Sequence, residues 1–458
     1  NRGICEMKVE KDLNTDRIRE LVWSLAIPSM LAQFVNVLYS IVDRMYIGNI
    51  EVIGEAALAG AGVCGPIVTL ISSFASWIGV GGAPLMSIRL GQNKPIAARR
   101  IVANCFVMLC TIAVAIMVLF YLIKDRMLVW FGASPAIFPY ANEYLSWYLT
   151  GTVFALLSTG MSQFIICQGF AKVGMAGVVI GAVSNIILDP IFIFVLGMGV
   201  KGAAIATVLS QMASCAFVLR FLFGKRPQIP ITFGGYSRRV IKRVLAVGLS
   251  PFLIIASDSV LIILMNALIQ KYGGAERGDM LLTCNTIVQS FMLMITMPLG
   301  GITGGTQTIM GYNYGAGRPA RIREAVKQIV LFGIGFTTNM FLGAHLLPQL
   351  FVGIFTRDPV YSDMTEWAIR VYTLCVIPLA VQYTIVDGFT GMGIAKVAIS
   401  LSLFRKTVYL GAMILFPMLG GAEAIFYSEP FSDAVAAITS LTVYLTISGR
   451  ILGDGRRF

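Results

Sequence analysis

The sequence predicts an all-α integral membrane protein of about twelve transmembrane helices, arranged as two six-helix bundles related by a parallel internal repeat. Three observations predict it: a charge-poor composition, long charge-free runs, and motifs that recur at a nearly constant offset. Of 458 residues, 57% are hydrophobic and 13% charged, roughly half the charged share of soluble domains. So few charges cannot cover a soluble surface, but lipid covers most of a helical membrane protein, whose backbone polar groups are satisfied inside each helix. Residues 101–123, 173–188, 202–219 and 280–314 carry no charge, and a bilayer span needs ~20 residues. The expected spans are 20–46, 55–86, 98–123, 138–160, 166–195 and 201–223, then 241–270, 280–312, 322–346, 361–385, 391–418 and 422–448.

The repeat sets the organisation. Leu90-Gly91-Gln92-Asn93-Lys94-Pro95 matches Tyr314-Gly315-Ala316-Gly317-Arg318-Pro319, and Gly169-Phe170-Ala171-Lys172 matches Gly393-Ile394-Ala395-Lys396; both pairs lie 224 residues apart. Pro28 and Pro251 are offset by 223. The expected units are a cytoplasmic N-terminal segment (1–19), an N-lobe (20–223), a cytoplasmic linker (224–240), a C-lobe (241–448) and a cytoplasmic tail (449–458). The linker holds Pro227, Pro230 and Gly234-Gly235, which break helices. An even number of spans per lobe inserts both lobes in the same sense. Their pseudo-two-fold axis then follows the membrane normal, and a cleft separates them.

The formal net charge is +12, but its distribution argues against a nucleic-acid partner. Lys and Arg concentrate in 2–19, 89–100, 220–243, 318–327 and 450–457, with Lys172 and Lys396, all on one side of the predicted topology. The alternate loops hold only Lys124, Arg126, Lys201, Lys271, Arg277 and Arg357. This positive-inside bias places both termini in the cytoplasm. The eight cysteines form no C-x-x-C pair and read as small hydrophobes. No signal peptide is read before the first span. There is no G-x-x-x-x-G-K-S/T loop for nucleotide hydrolysis, no G-x-S-x-G elbow and no His/Cys cluster, so no enzyme and no cofactor is expected. His345, the only histidine, reads as structural. Met292, Met294 and Met297 read as packing or as the lining of an adaptable cavity.

Ionisable residues inside spans are costly and mark function. Four carboxylates stand out: Asp43, Asp189, Asp258 and Asp387. Asp43 follows Pro28, a kink-permitting residue in the same helix, with Gln33 and Asn36 between them. Asn185 and Asp189, four apart, share one helix face in an otherwise apolar stretch ending at Pro190; a carboxylate and an amide oxygen there resemble half of a hard-cation site. Thr207 in the next span can add an oxygen, with Gln211 four residues on. Asp258 lies near the middle of the seventh span with no basic neighbour in sequence, and Asp387 near the end of the tenth. Arg405 and Lys406 interrupt the eleventh span and read as snorkelling or paired.

Taken together these residues resemble the MATE (multidrug and toxic compound extrusion) family in its bacterial branch. The resemblance covers nearly the whole chain and rests on Pro28 with Val42-Asp43, the 90–95 and 168–172 loops with their echoes, and Ser184-Asn185-Ile186-Ile187-Leu188-Asp189-Pro190. It implies two six-helix lobes around a central cavity in a bacterial cytoplasmic membrane, and no resident cofactor. It also implies antiport of cationic amphipathic small molecules against Na+ or H+ by a monomer whose lobes rock against each other. Asp43, Asn185, Asp189 and Thr207 match the family's N-lobe cation site, and would be the Na+ ligands if sodium drives transport. Pro28 is the helix kink. Asp258 and Asp387 match more loosely the acidic residues other members use, and with Gln33 and Asn36 form a second tier of substrate or cation residues. The alternative within the superfamily is a flippase for a lipid-linked oligosaccharide or other lipid-like substrate, which the cavity carboxylates disfavour. A major-facilitator transporter is disfavoured because its G-x-x-x-D-R-x-G-R-R/K loop is absent. A membrane receptor or enzyme would lack any nucleophile or metal cluster.

Overall fold

The computed structural model describes all residues except 1–12, 14, 51–53, 132, 134, 136, 356–357 and 454–458. Cys5, Arg357 and the basic residues at both extreme ends therefore lie outside the described residues. The helices are α1 Ile18–Gly48, α2 Gly54–Gly91, α3 Pro95–Trp130, α4 Phe138–Thr150, α5 Thr152–Ile166, α6 Ala171–Pro190 and α7 Gly199–Leu222. There follow α8 Arg238–Gly274 and α9 Met280–Gly315. The remainder are α10 Pro319–Leu346, α11 Pro348–Phe355, α12 Pro359–Tyr372, α13 Val376–Gly391, α14 Ala395–Gly420 and α15 Ser428–Gly453. A π turn, Ile191–Val195, extends α6, and a 3-10 turn, Ala422–Tyr427, precedes α15. No strand occurs among the described residues.

Among the described residues ten helices are long and apolar enough to cross a membrane, or twelve with each of two bent pairs taken as one span. The chain is thus a multi-pass membrane protein. Several helices overrun the expected spans: α3 reaches Trp130 and α9 reaches Gly315. Helical hydrogen bonding continues past the apolar stretch into the polar ends. The fourth span differs most from expectation. It is broken into α4 and α5 by a 57° bend and ends at Ile166, not near 160. The tenth is broken between α12 and α13 by 47°. Gly151 at the first break and Cys375 at the second stand at equivalent repeat positions. A Cβ on Gly151 would meet Val208 Cγ2 at 2.6 Å, so only glycine lets α7 pass. At the second break Pro378 lacks the N–H that would bond back into the preceding turn.

The repeat is visible in the backbone itself. Left-handed turns fall at Asn93 and Gly317, at Gly169 and Gly393, and at Gly197 and Gly421, each pair 224 residues apart. In the first two, the residue at positive φ ends a helix, and the next helix starts one or two residues on, with Pro95 and Pro319 in its first turn. Such φ values favour glycine.

Gly197 and Gly421 lie a full helix away, at the other end of the bundle; the halves meet at the end that carries the first two pairs of turns. There Ile18, Leu21, Val22 and Leu25 of α1 share a core with Ile302, Ile309, Ile322 and Val386. Gly91 and Gly315 form a symmetric crossing: a Cβ on Gly91 would lie 2.0 Å from Tyr312 O, and one on Gly315 2.1 Å from Ile88 O. A Cβ on Gly248 would lie 1.8 Å from Trp77 O. Above these contacts Trp77 stacks on Phe252 with ring centres 4.5 Å apart and donates from Nε1 to Leu245 O at 2.9 Å. Toward the opposite end the cores separate. One holds Ile47, Ile67, Phe120, Tyr148 and Ala203, all from the first half. Another holds Leu261, Ile295, Tyr372 and Phe426, all from the second. The molecule is therefore closed at one end, while toward the other each half keeps a core of its own.

Gly248→Leu should wedge the closed end apart. Overpacking of this kind costs ~1–3 kcal/mol, so a lower melting temperature of the purified protein is expected, and an unchanged one would refute the packing described.

Candidate functional site

The site begins with the end of α6. Asn185 and Asp189 sit one turn apart and are almost fully buried, at 1% and 0% exposure. Pro190 cannot donate to the carbonyl of Ile186, and the helix continues only as the π turn, a feature frequent at functional sites. Asn185 Nδ2 donates to Asp189 Oδ1 at 3.1 Å and lies 3.4 Å from Thr207 Oγ1 of α7. The Thr207 hydroxyl donates to Ala203 O at 3.0 Å, so its lone pairs face the cluster. From α1, the half-buried Asp43 brings its carboxyl into hydrogen-bonding contact with that of Asp189. The structure thus gathers Asp43, Asn185, Asp189 and Thr207 from three helices of the first half.

The donor count is what matters. Asp43 Oδ1, Asp189 Oδ2 and Asn185 Oδ1 are buried and have no hydrogen-bond donor. Arg44, next to Asp43, is exposed and acts on it only through its field. Two carboxylates facing each other in a low-dielectric interior repel, and buried charge without a partner is costly. Such an arrangement can accept positive charge: a proton shared between the carboxylates, or a small hard cation. Carboxylate, amide and hydroxyl oxygens are the donor set that hard cations prefer. Among the described residues no group of three or more His, Cys, Asp or Glu forms a transition-metal site.

Tyr39 lies one turn before Asp43 and within its field, as does Tyr144. Tyr148 bonds to Gln211, one turn beyond Thr207. These tyrosines complete the wall of the cluster, and reading the sequence passed them over. Tyr39 had a signal, since residues 39 and 43 share a helix face. Tyr144 and Tyr148 had none distinguishing them from packing aromatics.

The second-tier residues do not join this cluster. Gln33 packs against Gly301 of α9, with its Oε1 buried and without a donor. Asn36 is half-buried on α1. Asp387 Oδ2 accepts from Thr303 Oγ1 at 2.5 Å, and Gln307 also bonds it. Asp258 has no basic neighbour in sequence but pairs with Lys406 of α14. Arg405 is paired as well, with Asp433 at 2.8 Å and Glu429 at 2.7 Å. Glu429 and Asp433 correct the count of four intramembrane carboxylates: both lie in the last span, and Asp433 is fully buried. In the second half, then, Asp258, Glu429 and Asp433 carry basic partners, while Asp43 and Asp189 in the first half carry none within ion-pair distance. His345 stacks on Phe341 with ring centres 4.0 Å apart. The seven described cysteines are free thiols, buried or half-buried.

The comparisons with known proteins agree with this architecture. The family model described as MatE matches residues 28–191 and 255–414. The multidrug export protein MepA of Staphylococcus haemolyticus (strain JCSC1435) is 21% identical over 436 residues, covering 94% of each chain. MepA of Staphylococcus aureus (strain N315) is 20% identical over 434 residues, again covering 94% of each. Among solved structures, a multidrug resistance MATE family transporter of the MOP superfamily in an outward-facing conformation has TM-score 0.89 at 23% identity, covering 96% of this chain and 98% of that one. A MOP superfamily transporter from Pyrococcus furiosus Vc1 (DSM3638), for which reverse polarity of the binding pocket suggests a different function, has TM-score 0.89 at 24% identity over the same shares.

The two halves should respond oppositely to loss of a charge. Asp189→Asn removes a repulsion and should leave the melting temperature unchanged or higher in buffer without added sodium. Arg405→Gln strands Asp433 and Glu429, which costs ~3–5 kcal/mol, and should lower it. The reverse order would refute the assignment of charges.

Proposed function

The chain belongs to the MatE family of multidrug export transporters, and from that premise we propose a secondary antiporter that expels cationic amphipathic small molecules in exchange for Na+ or H+. The observation that carries this reading is the set of three buried, donor-free oxygens on Asp43, Asp189 and Asn185. The separate cores toward one end support an outward-open state, with the closed, basic end in the cytoplasm by the positive-inside bias. In this reading neither half has an enzymatic role, and both termini are cytoplasmic. The chain works as a monomer in a bacterial cytoplasmic membrane, with the lipid bilayer and a small-molecule cation as its partners.

In the proposed cycle a proton or sodium ion enters from outside and settles between Asp43 and Asp189, with Asn185 Oδ1 and Thr207 Oγ1 at hand. Occupancy removes the repulsion between the carboxyls of α1 and α6, and the bend at Pro28 changes. Pro28 lies inside α1, where its missing N–H lowers the cost of bending. The cavity then loses affinity for its cationic substrate, which leaves outward. Exchange requires only that cation and substrate favour different states, so that each weakens the other's binding. Ionised carboxylates on an emptied site also explain the choice of a cationic substrate. Gln33, Asn36, Asp258 and Asp387 are second-tier contacts in this reading. Lys406 on Asp258 and the hydrogen bonds to Asp387 favour the first-half cluster as the seat of coupling.

The test is efflux of an ethidium-like dye from proteoliposomes, driven in turn by a sodium gradient and by a pH gradient. One gradient should drive efflux in the unmodified protein, and Asp43→Asn or Asp189→Asn should reduce it to the level of empty vesicles. Full efflux in both variants would overturn the site assignment, and transport of a lipid-linked sugar in place of dye would favour the flippase alternative.

A further inference from the structure

The lower and upper parts of α1 belong to different halves of the molecule. Before Pro28, the residues Ile18 to Ala26 pack into the core formed by α9, α10, α13 and α14 of the second half. Ser29 abuts Gly301 and Gly305 of α9. After Pro28, Asp43 meets Asp189 and Ile47 enters a core made only of first-half residues. Ser29 and Gln33 still touch α9, so α1 crosses from one half to the other in the turns that follow the proline.

Besides this apolar packing, the segment leading into α1 is held by a cation of the opposite half. Arg321, in the first turn of α10, donates from Nη2 to Asp16 O at 2.8 Å and to Leu13 O at 3.3 Å, and from Nε to Asn313 Oδ1 at 3.0 Å. Leu13 is buried in the same core as Ile322, Ala325 and Val326. A cation in the first turn of a helix opposes the positive end of the helix dipole. Arg321 is therefore unfavourable for α10 alone, and its return comes from the carbonyls of the segment leading into α1. The other leading helix is fastened differently. Asn104 of α3 donates to Gly235 O at 3.3 Å and accepts from Ser237 N, just before α8, at 3.0 Å. Each half's first helix is thus pinned at its tip to the third span of the opposite half, and only the pin on α1 is a cation holding main-chain oxygens.

We propose that Arg321 is the positioning residue that fixes α1 to the opposite half, so that a change of bend at Pro28 moves the halves against each other. This rests on the antiport reading given above. A helix free at its tip would absorb the bend locally; a helix held by Arg321 passes it to α10.

Spin labels at Ile96→Cys and Lys396→Cys, exposed positions on opposite halves at the closed end, report the separation of the halves. In the otherwise unmodified protein, adding sodium or lowering the pH should shift the distance distribution and raise the melting temperature. In Arg321→Gln the rise in melting temperature should persist while the distance shift is lost, and Arg321→Lys should recover part of the shift. A purely structural role would lower stability under every condition and leave the shift intact. A wild-type shift in Arg321→Gln overturns the proposal. Should that variant not fold, Asn313→Ala removes the acceptor of Arg321 Nε and must reduce the shift, with an unaltered shift equally fatal. If neither cation moves the unmodified protein, it is the antiport reading that fails, and this shows before any variant is made.

Discussion

Two carboxyl groups, one from α1 and one from α6, meet in an interior that supplies no counter-charge. The nearby donors offer no charge: the Asn185 amide nitrogen serves Asp189 and Thr207, and the Thr207 hydroxyl donates to Ala203 O. In the proposed reading a cation or proton between them lowers the energy of this arrangement. A membrane protein elsewhere spends few charges; here it places two of like sign together. The same chain shows that an alternative was available, since Arg405 neutralises Asp433 and Glu429 in the second half. That network is permanently satisfied and holds helices together. The first-half cluster has no such partner, which is the feature that the proposed coupling uses.

The two halves therefore share a frame and differ in chemistry. The left-handed turns, the broken fourth and tenth spans and the crossed glycines Gly91 and Gly315 obey the repeat. At the positions equivalent to Asn185 and Asp189 stand Tyr409 and Met413; Tyr409 bonds Tyr372 and Met413 is fully buried, filling with packing the space where the first half keeps oxygens. The contact surfaces between the halves are also unequal. One carries the Trp77–Phe252 stack, while the other brings Ser29 against Gly301 and Gly305. Rocking about such a frame asks for rigid bundles and a close, smooth contact at one end, which backbone-to-backbone approach at glycines provides.

Much of this was legible in the sequence, for reasons that differ by residue. Spans follow from the need to satisfy backbone groups in lipid, and repeat turns from the demand for glycine or asparagine at positive φ. Asn185 and Asp189 show as a pair because a helix turn brings residues four apart together. Asp43 does not announce its partner, because 146 residues separate it from Asp189 and only the packing of α1 on α6 joins them; the family resemblance supplied that link. Lys406 and Asp258 were hidden for the same reason. Glu429 and Asp433 lie near the start of the last span, where carboxylates read as interfacial, and only their burial against Arg405 shows otherwise. The breaks at Gly151 and before Pro378 were masked by continuous hydrophobicity on both sides.

The central claim is that a cation between Asp43 and Asp189 and a substrate in the cavity oppose each other through α1. Equilibrium binding of an ethidium-like dye to the purified protein tests it most directly, with no transport required. Titrating sodium or protons should weaken dye binding in the unmodified protein, and Asp189→Asn should abolish that dependence while leaving binding itself. Dye affinity independent of both cations in the unmodified protein, or equally dependent in Asp189→Asn, would contradict the account.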